Sequence, residues 1–227
     1  MLPEFVNTYF ARPSGRQPAG GRVLHAVLLR LARAALMPIS LWLVPPTGEK
    51  VAPATDAPTS TRESLMAEMQ TIAEANLLPT YEPHITLMGS VGNLSHDEAT
   101  ARLQALKGAG PVTIAFTKIT AGILEETGLA PWYQSGVAVV NMTPQLVSLQ
   151  RLALGAFQSK AAADTAPVWA PPLRKPHLSL AYGNTPELLS QLQVPSPFVA
   201  SEVAIYDCTP ATLAGVPQWK AIARVPL

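Results

Sequence analysis

The sequence predicts an α+β protein built on antiparallel strands, and three observations carry that expectation. Short runs of strand length, apolar or alternating in character, recur along the chain. Between several of them stand helix-start signals: a hydroxyl residue followed three places on by Glu, or directly by Pro. The order helix, histidine strand, helix, strand, strand then occurs twice. The repeat is marked by one phrase written two times, Pro83, His84, Ile85, Thr86, Leu87 and Pro176, His177, Leu178, Ser179, Leu180. A unit this long is no solenoid period, so the loose duplication predicts two related lobes. Antiparallel hairpins mixed with helices give the α+β class.

Residues 40–44 form the first expected strand, stopped by Pro45 and Pro46, and residues 45–60 read as a Pro/Thr/Ala loop. Ser60 with Glu63 has capping-box spacing. Met66, Met69, Ile72 and Ala73 continue an apolar helical stripe to about Asn76. The first histidine strand follows. Ser95 with Glu98 opens a second helix through Leu103 and Leu106, which Gly108 and Gly110 end. Residues 112–116 and 136–142 read as strands. Thr143 and Pro144 supply an N-cap and first turn for a helix to about Lys160. An Ala/Pro-rich loop at 161–173 leads to the second histidine strand. A short helix opened by Thr185, Pro186 and Glu187 comes next, then strands at 199–206 and 219–225.

The chain has 227 residues and a formal net charge of +1. That balance hides an asymmetry, because residues 1–38 carry Arg12, Arg16, Arg22, Arg30 and Arg33 against Glu4 alone, and the rest is mildly acidic. A mildly acidic body lacks the basic footprint for gripping long nucleic acid. Residues 1–36 read as an Arg-rich leader before a single domain at 37–227. The leader is either an organelle-targeting helix or lies upstream of a true start at Met37, with a packed accessory helix as a third reading. Arg30, Arg33 and Pro38 interrupt it too often for stable membrane insertion. The expected location is the cytoplasm, or an organelle if the leader targets. Cys208 is the sole cysteine, which removes an intramolecular disulfide and multi-cysteine zinc sites, and it reads as a buried strand thiol.

In a strand, residues two apart share a face. Each phrase therefore projects one imidazole and one hydroxyl together, His84 with Thr86 and His177 with Ser179, while the intervening aliphatics turn into a core. A hydroxyl one or three places on would point into that core instead. Imidazole exchanges protons near neutrality, so one neutral ring accepts a proton while a charged one donates. The hydroxyls suit the non-bridging oxygens of a phosphate. One His-x-Thr alone is uninformative, but two copies with five matched position types predict one site. His25 in the leader and His96 at a helix start do not compete with them. HExxH, GxSxG, P-loop and GxGxxG patterns are absent, which leaves zinc, serine-hydrolase and dinucleotide chemistry unsupported. No cofactor or metal is expected. Trp132 and Tyr133 are candidates for stacking on a base, against ordinary packing. Arg174 and Lys175 would steer an anionic substrate, or else form a solvated loop pair.

The two phrases, the second continuing through Ala181, Tyr182 and Gly183, resemble the H-x-[ST]-hydrophobic signature of the two-histidine (2H) phosphoesterase superfamily. The opening from Met37 to Pro45, Tyr182, and the ending from Trp219 to Leu227 are similar to the cyclic phosphodiesterase branch of fungi, plants and algae. The resemblance covers about 39–227. It implies a bilobal fold, two antiparallel sheets lining a central cleft with helices outside. It also implies hydrolysis of ADP-ribose 1″,2″-cyclic phosphate to ADP-ribose 1″-phosphate, and of nucleoside 2′,3′-cyclic phosphates to 2′-phosphates. Carried over, His84 and His177 are the acid/base pair, Thr86 and Ser179 bind phosphate, and Tyr182 lines the site. His177 would activate water and His84 protonate the leaving oxygen. The expected partner is a small cyclic nucleotide, met by a monomer. The alternatives are a 2H-type RNA-end phosphodiesterase or 2′-5′ ligase, and a catalytically silent nucleotide-binding module.

Overall fold

A computed structural model describes residues 39–47, 60–92, 94–121, 134–158, 176–183 and 185–227. The leader, Trp132 with Tyr133, the 161–173 loop, and Arg174 with Lys175 lie outside them.

The described strands are β1 (Ile39–Val44), β2 (Ile85–Met88), β3 (Val112–Ile114), β4 (Phe116–Thr120) and β5 (Gln134–Val140). After them come β6 (His177–Tyr182), β7 (Phe198–Ala200), β8 (Glu202–Asp207) and β9 (Lys220–Pro226). Helices α1 (Arg62–Asn76), α2 (His96–Leu103) and α3 (Pro144–Phe157) are joined by 3₁₀ turns at Gln104–Leu106, Pro186–Gln191 and Leu213–Gln218. Seven strands form one sheet in the order β4-β5-β6-β2-β1-β8-β9, and β3 pairs with β7 in a second, small one. Every pairing is antiparallel. The class is α+β. The two antiparallel halves, each holding one histidine strand, meet edge to edge at β2 and β6, so both motifs lie on a single continuous sheet.

Alternation along the strands separates that sheet into two faces. One face presents Leu41, Leu43, Ile85, Leu87, Leu178, Leu180, Val203 and Ile205, all in the main core. Against them pack Leu103 of α2, Leu146, Ala153 and Leu154 of α3, and Ile114 and Phe198 of the small sheet. Leu87 is wholly buried there, and truncating such a leucine to Ala costs about 2–5 kcal/mol. The opposite face carries Trp42, Ala204 and Tyr206 in a separate cluster, together with both histidines.

The expected capping box at Ser95 forms: the Ser95 hydroxyl accepts from the Glu98 N–H, and Glu98 accepts from the Ser95 N–H. Thr143 likewise caps α3 ahead of Pro144. Helix α3 ends at Phe157, short of the expected Lys160. For α1 the structure corrects the expectation by one residue. Ser60 donates its hydroxyl to the Ser196 carbonyl at 2.9 Å, so Thr61 is the cap and closes its box with Ser64.

The segment 112–116 divides at Ala115, and 199–206 divides at Ser201. In both places the chain leaves the small sheet and enters the large one. Strands that switch sheets form corners in this way, and hydrophobic alternation does not record the change of partner.

Candidate active site

The second residue of each motif is where the halves touch. Strands β2 and β6 meet with Ile85 opposite Leu178. Extending that antiparallel register sets His84 across from Ser179 and Thr86 across from His177. The imidazole of each motif thus neighbours the hydroxyl of the other, on the face turned away from the main core. Directly opposed residues have Cβ atoms roughly 4.5–5.5 Å apart, so four functional side chains fall within one substrate's reach. His84, His177 and Ser179 are buried, and Thr86 is half-buried.

His84 is held by three kinds of contact. Pro83 fixes the backbone just before it. Its Nδ1 lies 2.8 Å from the Glu82 carbonyl oxygen, two residues back. A carbonyl can only accept, so Nδ1 carries the proton and Nε2 is the nitrogen left for proton exchange. Its ring lies flat against Trp42, centroids 3.4 Å apart and planes 5° from parallel. Trp42 in turn stacks on Tyr206 at 3.8 Å, so a row of rings crosses β2, β1 and β8. Burial lowers the His84 pKa from its ordinary value of 6.5 to about 3. The Glu82 hydrogen bond raises it, but less than burial lowers it, and the nearby His177 depresses it further. An indole face attracts a cation; here the desolvation outweighs that attraction. At neutral pH the ring is neutral.

The Glu82 side chain anchors this arrangement from behind. Its carboxylate accepts from Arg224 Nη2 at 2.9 Å and from the Tyr206 hydroxyl, and Arg62 Nε lies 3.4 Å away. Both guanidiniums also reach Glu202, each at 3.1 Å. Two cations alternate with two anions, so the half-buried charges satisfy one another. Burial first, and the Glu82 carboxylate next, push the Tyr206 hydroxyl far above its ordinary range, which keeps it a donor.

His177 has different company. Gln134, at the start of β5, places its amide nitrogen 3.1 Å from His177 Nε2 and 2.6 Å from Ser179 Oγ. A bulge re-aims that side chain: Gln134 pairs with Tyr182, yet Gly136 already pairs with Ala181. Gly136 suits the spot because a Cβ there would overlap Leu192.

Tyr182 reaches the site at one remove. It meets Tyr81 edge-on at 4.4 Å, and Tyr81 meets His84 edge-on at 6.0 Å. Beside Trp42 lies a cavity of about 210 Å³, walled by Trp42, Tyr81, Tyr206 and Trp219, with Glu82 on one side. The buried Tyr81 hydroxyl has no hydrogen-bond partner among the described residues.

The structure places His84, Thr86, His177 and Ser179 on one face of the adjoining strands β2 and β6 and sets Tyr182 behind Tyr81. The stacking candidates Trp132 and Tyr133 and the steering pair Arg174 and Lys175 fall outside the described residues. Sequence reasoning missed Glu82, Arg224, Tyr206 and Gln134. The available signal was the charges carried by two largely apolar strands, Glu202 in β8 and Arg224 in β9 among them, since half-buried charges need partners. Among the described residues, no cluster of three or more His, Cys, Asp or Glu is placed to hold a metal, and no helix is long and apolar enough to cross a membrane.

An antiparallel sheet carrying two crossed histidine–hydroxyl pairs on one face is the arrangement of a two-histidine phosphoesterase. The chain belongs to the cyclic phosphodiesterase-like protein family, whose model matches residues 37–193. No curated protein matches it. Similar solved structures include Escherichia coli LigT complexed with NADP+, at 12% identity and a TM-score of 0.48, covering 84% of this chain and 97% of that one. The protein TT0787 of Thermus thermophilus is similar at 15% identity and a TM-score of 0.48, covering 84% of this chain and 98% of that one.

Proposed function

We propose that the protein hydrolyses cyclic phosphates of small nucleotides using its two histidines, without a metal. The substrates are ADP-ribose 1″,2″-cyclic phosphate, opened to the 1″-phosphate, and nucleoside 2′,3′-cyclic phosphates, opened to 2′-phosphates. The observation that carries this reading is the register of Ile85 opposite Leu178, which sets both imidazoles and both hydroxyls on one face. For a 2′,3′-cyclic phosphate, a water oxygen attacks phosphorus and the bond from phosphorus to O3′ breaks. One imidazole takes the water's proton while the other gives its proton to O3′. Thr86 and Ser179 donate to the non-bridging oxygens, where negative charge concentrates in the transition state. The aromatic cavity beside Trp42 suits a nucleobase.

The neutral His84 favours one division of labour. With Nδ1–H given to Glu82, its Nε2 carries a lone pair, the form of a general base. His177 is then the acid. This exchanges the roles expected from the sequence, which would need the bound phosphate's charge to reprotonate His84.

The test is turnover in EDTA with ADP-ribose 1″,2″-cyclic phosphate and, separately, 2′,3′-cyclic AMP, resolving the product isomers. Formation of the 1″- or 2′-phosphate despite the chelator is expected. Absence of turnover on both refutes the proposal and leaves an RNA-end substrate or a binding module.

A further inference from the structure

Gln134 holds a position that the two-histidine chemistry does not itself explain. Its amide nitrogen is within hydrogen-bond distance of His177 Nε2 and of Ser179 Oγ at once. An atom satisfying both distances sits where a phosphate oxygen must sit to be held by the same two groups. The placement is built in. The bulge between Gln134 and Gly136 aims the side chain at β6, Leu192 packs against Gly136, and the neighbouring Ser135 hydroxyl accepts from the Thr185 N–H at 3.1 Å.

The donor count shows that the contact is provisional. The amide nitrogen only donates, so His177 Nε2 and Ser179 Oγ are its acceptors here. A ring whose Nε2 lone pair is engaged by Gln134 cannot pass a proton through that nitrogen. Once His177 is protonated at Nε2, it has no lone pair there for the amide. The amide hydrogens are then released beside the two groups that face the phosphate. A neutral amide suits that place better than a carboxylate, which would repel the anion.

We propose that Gln134 is a third phosphate-binding residue of the second motif. Its amide lies beside the place where His177 and Ser179 would hold a phosphate oxygen, and donates to that oxygen when the site is filled. The ligand class is a phosphate monoester or cyclic diester. The inference rests on the functional reading above for its chemistry, but binding alone tests it.

The experiment compares the full-length protein with Gln134→Ala, Gln134→Met (near-isosteric and apolar) and Gln134→Glu. Affinities for inorganic phosphate, adenosine 2′-monophosphate and adenosine are measured by calorimetry, beside the thermal unfolding of each variant. Losing a hydrogen bond to a charged group weakens phosphate binding roughly tenfold or more. Ala and Met should therefore bind phosphate and the monophosphate about tenfold more weakly, with adenosine unchanged, and Glu should bind them more weakly still. Unchanged or tighter phosphate binding by Ala and Met would mean that Gln134 merely caps the site, and the inference falls. Equal loss for adenosine, or no phosphate binding by the wild type, also overturns it. Wild-type binding that depends on Gln134 but yields no turnover of cyclic phosphates defeats the hydrolase reading alone.

Discussion

The two histidine motifs are nearly the same words in different surroundings. His84 is packed against Trp42, tied to a backbone carbonyl, and backed by the alternating charges of Glu82, Arg224, Glu202 and Arg62. His177 instead meets the side-chain amide of Gln134 at its Nε2. In the first half, ring stacking on Trp42 and the Glu82 carbonyl orient the imidazole. In the second half the Nε2 nitrogen itself meets a side-chain amide. A pseudo-symmetric sheet can present two identical functional groups, but only unlike neighbours can set their protonation states apart.

The largest effect expected from breaking that comparison comes at the imidazoles. His84→Gln and His177→Gln should each lower kcat by roughly 10²–10⁴-fold, the usual span for a general acid or base, while circular dichroism shows both folded. A variant at either position that stays near wild-type activity would remove that half from the chemistry.

Next in size is the clamp behind His84. Arg224→Met takes away an Nη2 donor shared by both oxygens of a half-buried carboxylate, which costs about 1–3 kcal/mol of stability. It should also slow turnover through His84 alone. A double-mutant cycle with Glu82→Gln should show coupling of roughly 0.5–3 kcal/mol, and independent effects would mean the charges do not act as one unit.

The smallest effect is a pH dependence belonging to the first half. The unfolded chain takes up a proton at this imidazole near 6.5, but the folded chain only near 3. Acid therefore favours unfolding across that window, by at most about 1.4 kcal/mol per pH unit. The stabilising contribution is present above pH 6.5 and is lost as pH falls toward 3. Chemical denaturation at neutral and at mildly acidic pH should show His84→Phe losing less stability than wild type, and parallel curves would place the burial of His84 in doubt.

Much of this was legible in the chain. The apolar run at 40–44 before Pro45 and the paired phrases disclosed core strands and the shared face of imidazole and hydroxyl, because such patterns are local properties. The caps at Ser95 and Thr143 were legible for the same reason. The corners at Ala115 and Ser201 were not, since a strand's change of partner leaves its own alternation intact. Nor was the clamp: Glu82 and Arg224 are 142 positions apart in sequence, and only the β8–β9 pairing and the turn before β2 bring them together. Gln134 was hidden by a bulge, which shifts the register that a reader of alternation would assume.

The division of proton transfer between the halves is tested most directly with a 2′,3′-cyclic nucleotide whose 3′ leaving oxygen is replaced by sulfur. A thiolate leaves without being protonated, so this substrate bypasses the general acid and still needs the base. The account predicts that His177→Gln regains most of its lost rate on the sulfur substrate while His84→Gln does not. Recovery by His84→Gln with no recovery by His177→Gln would contradict it and return the base to the second motif.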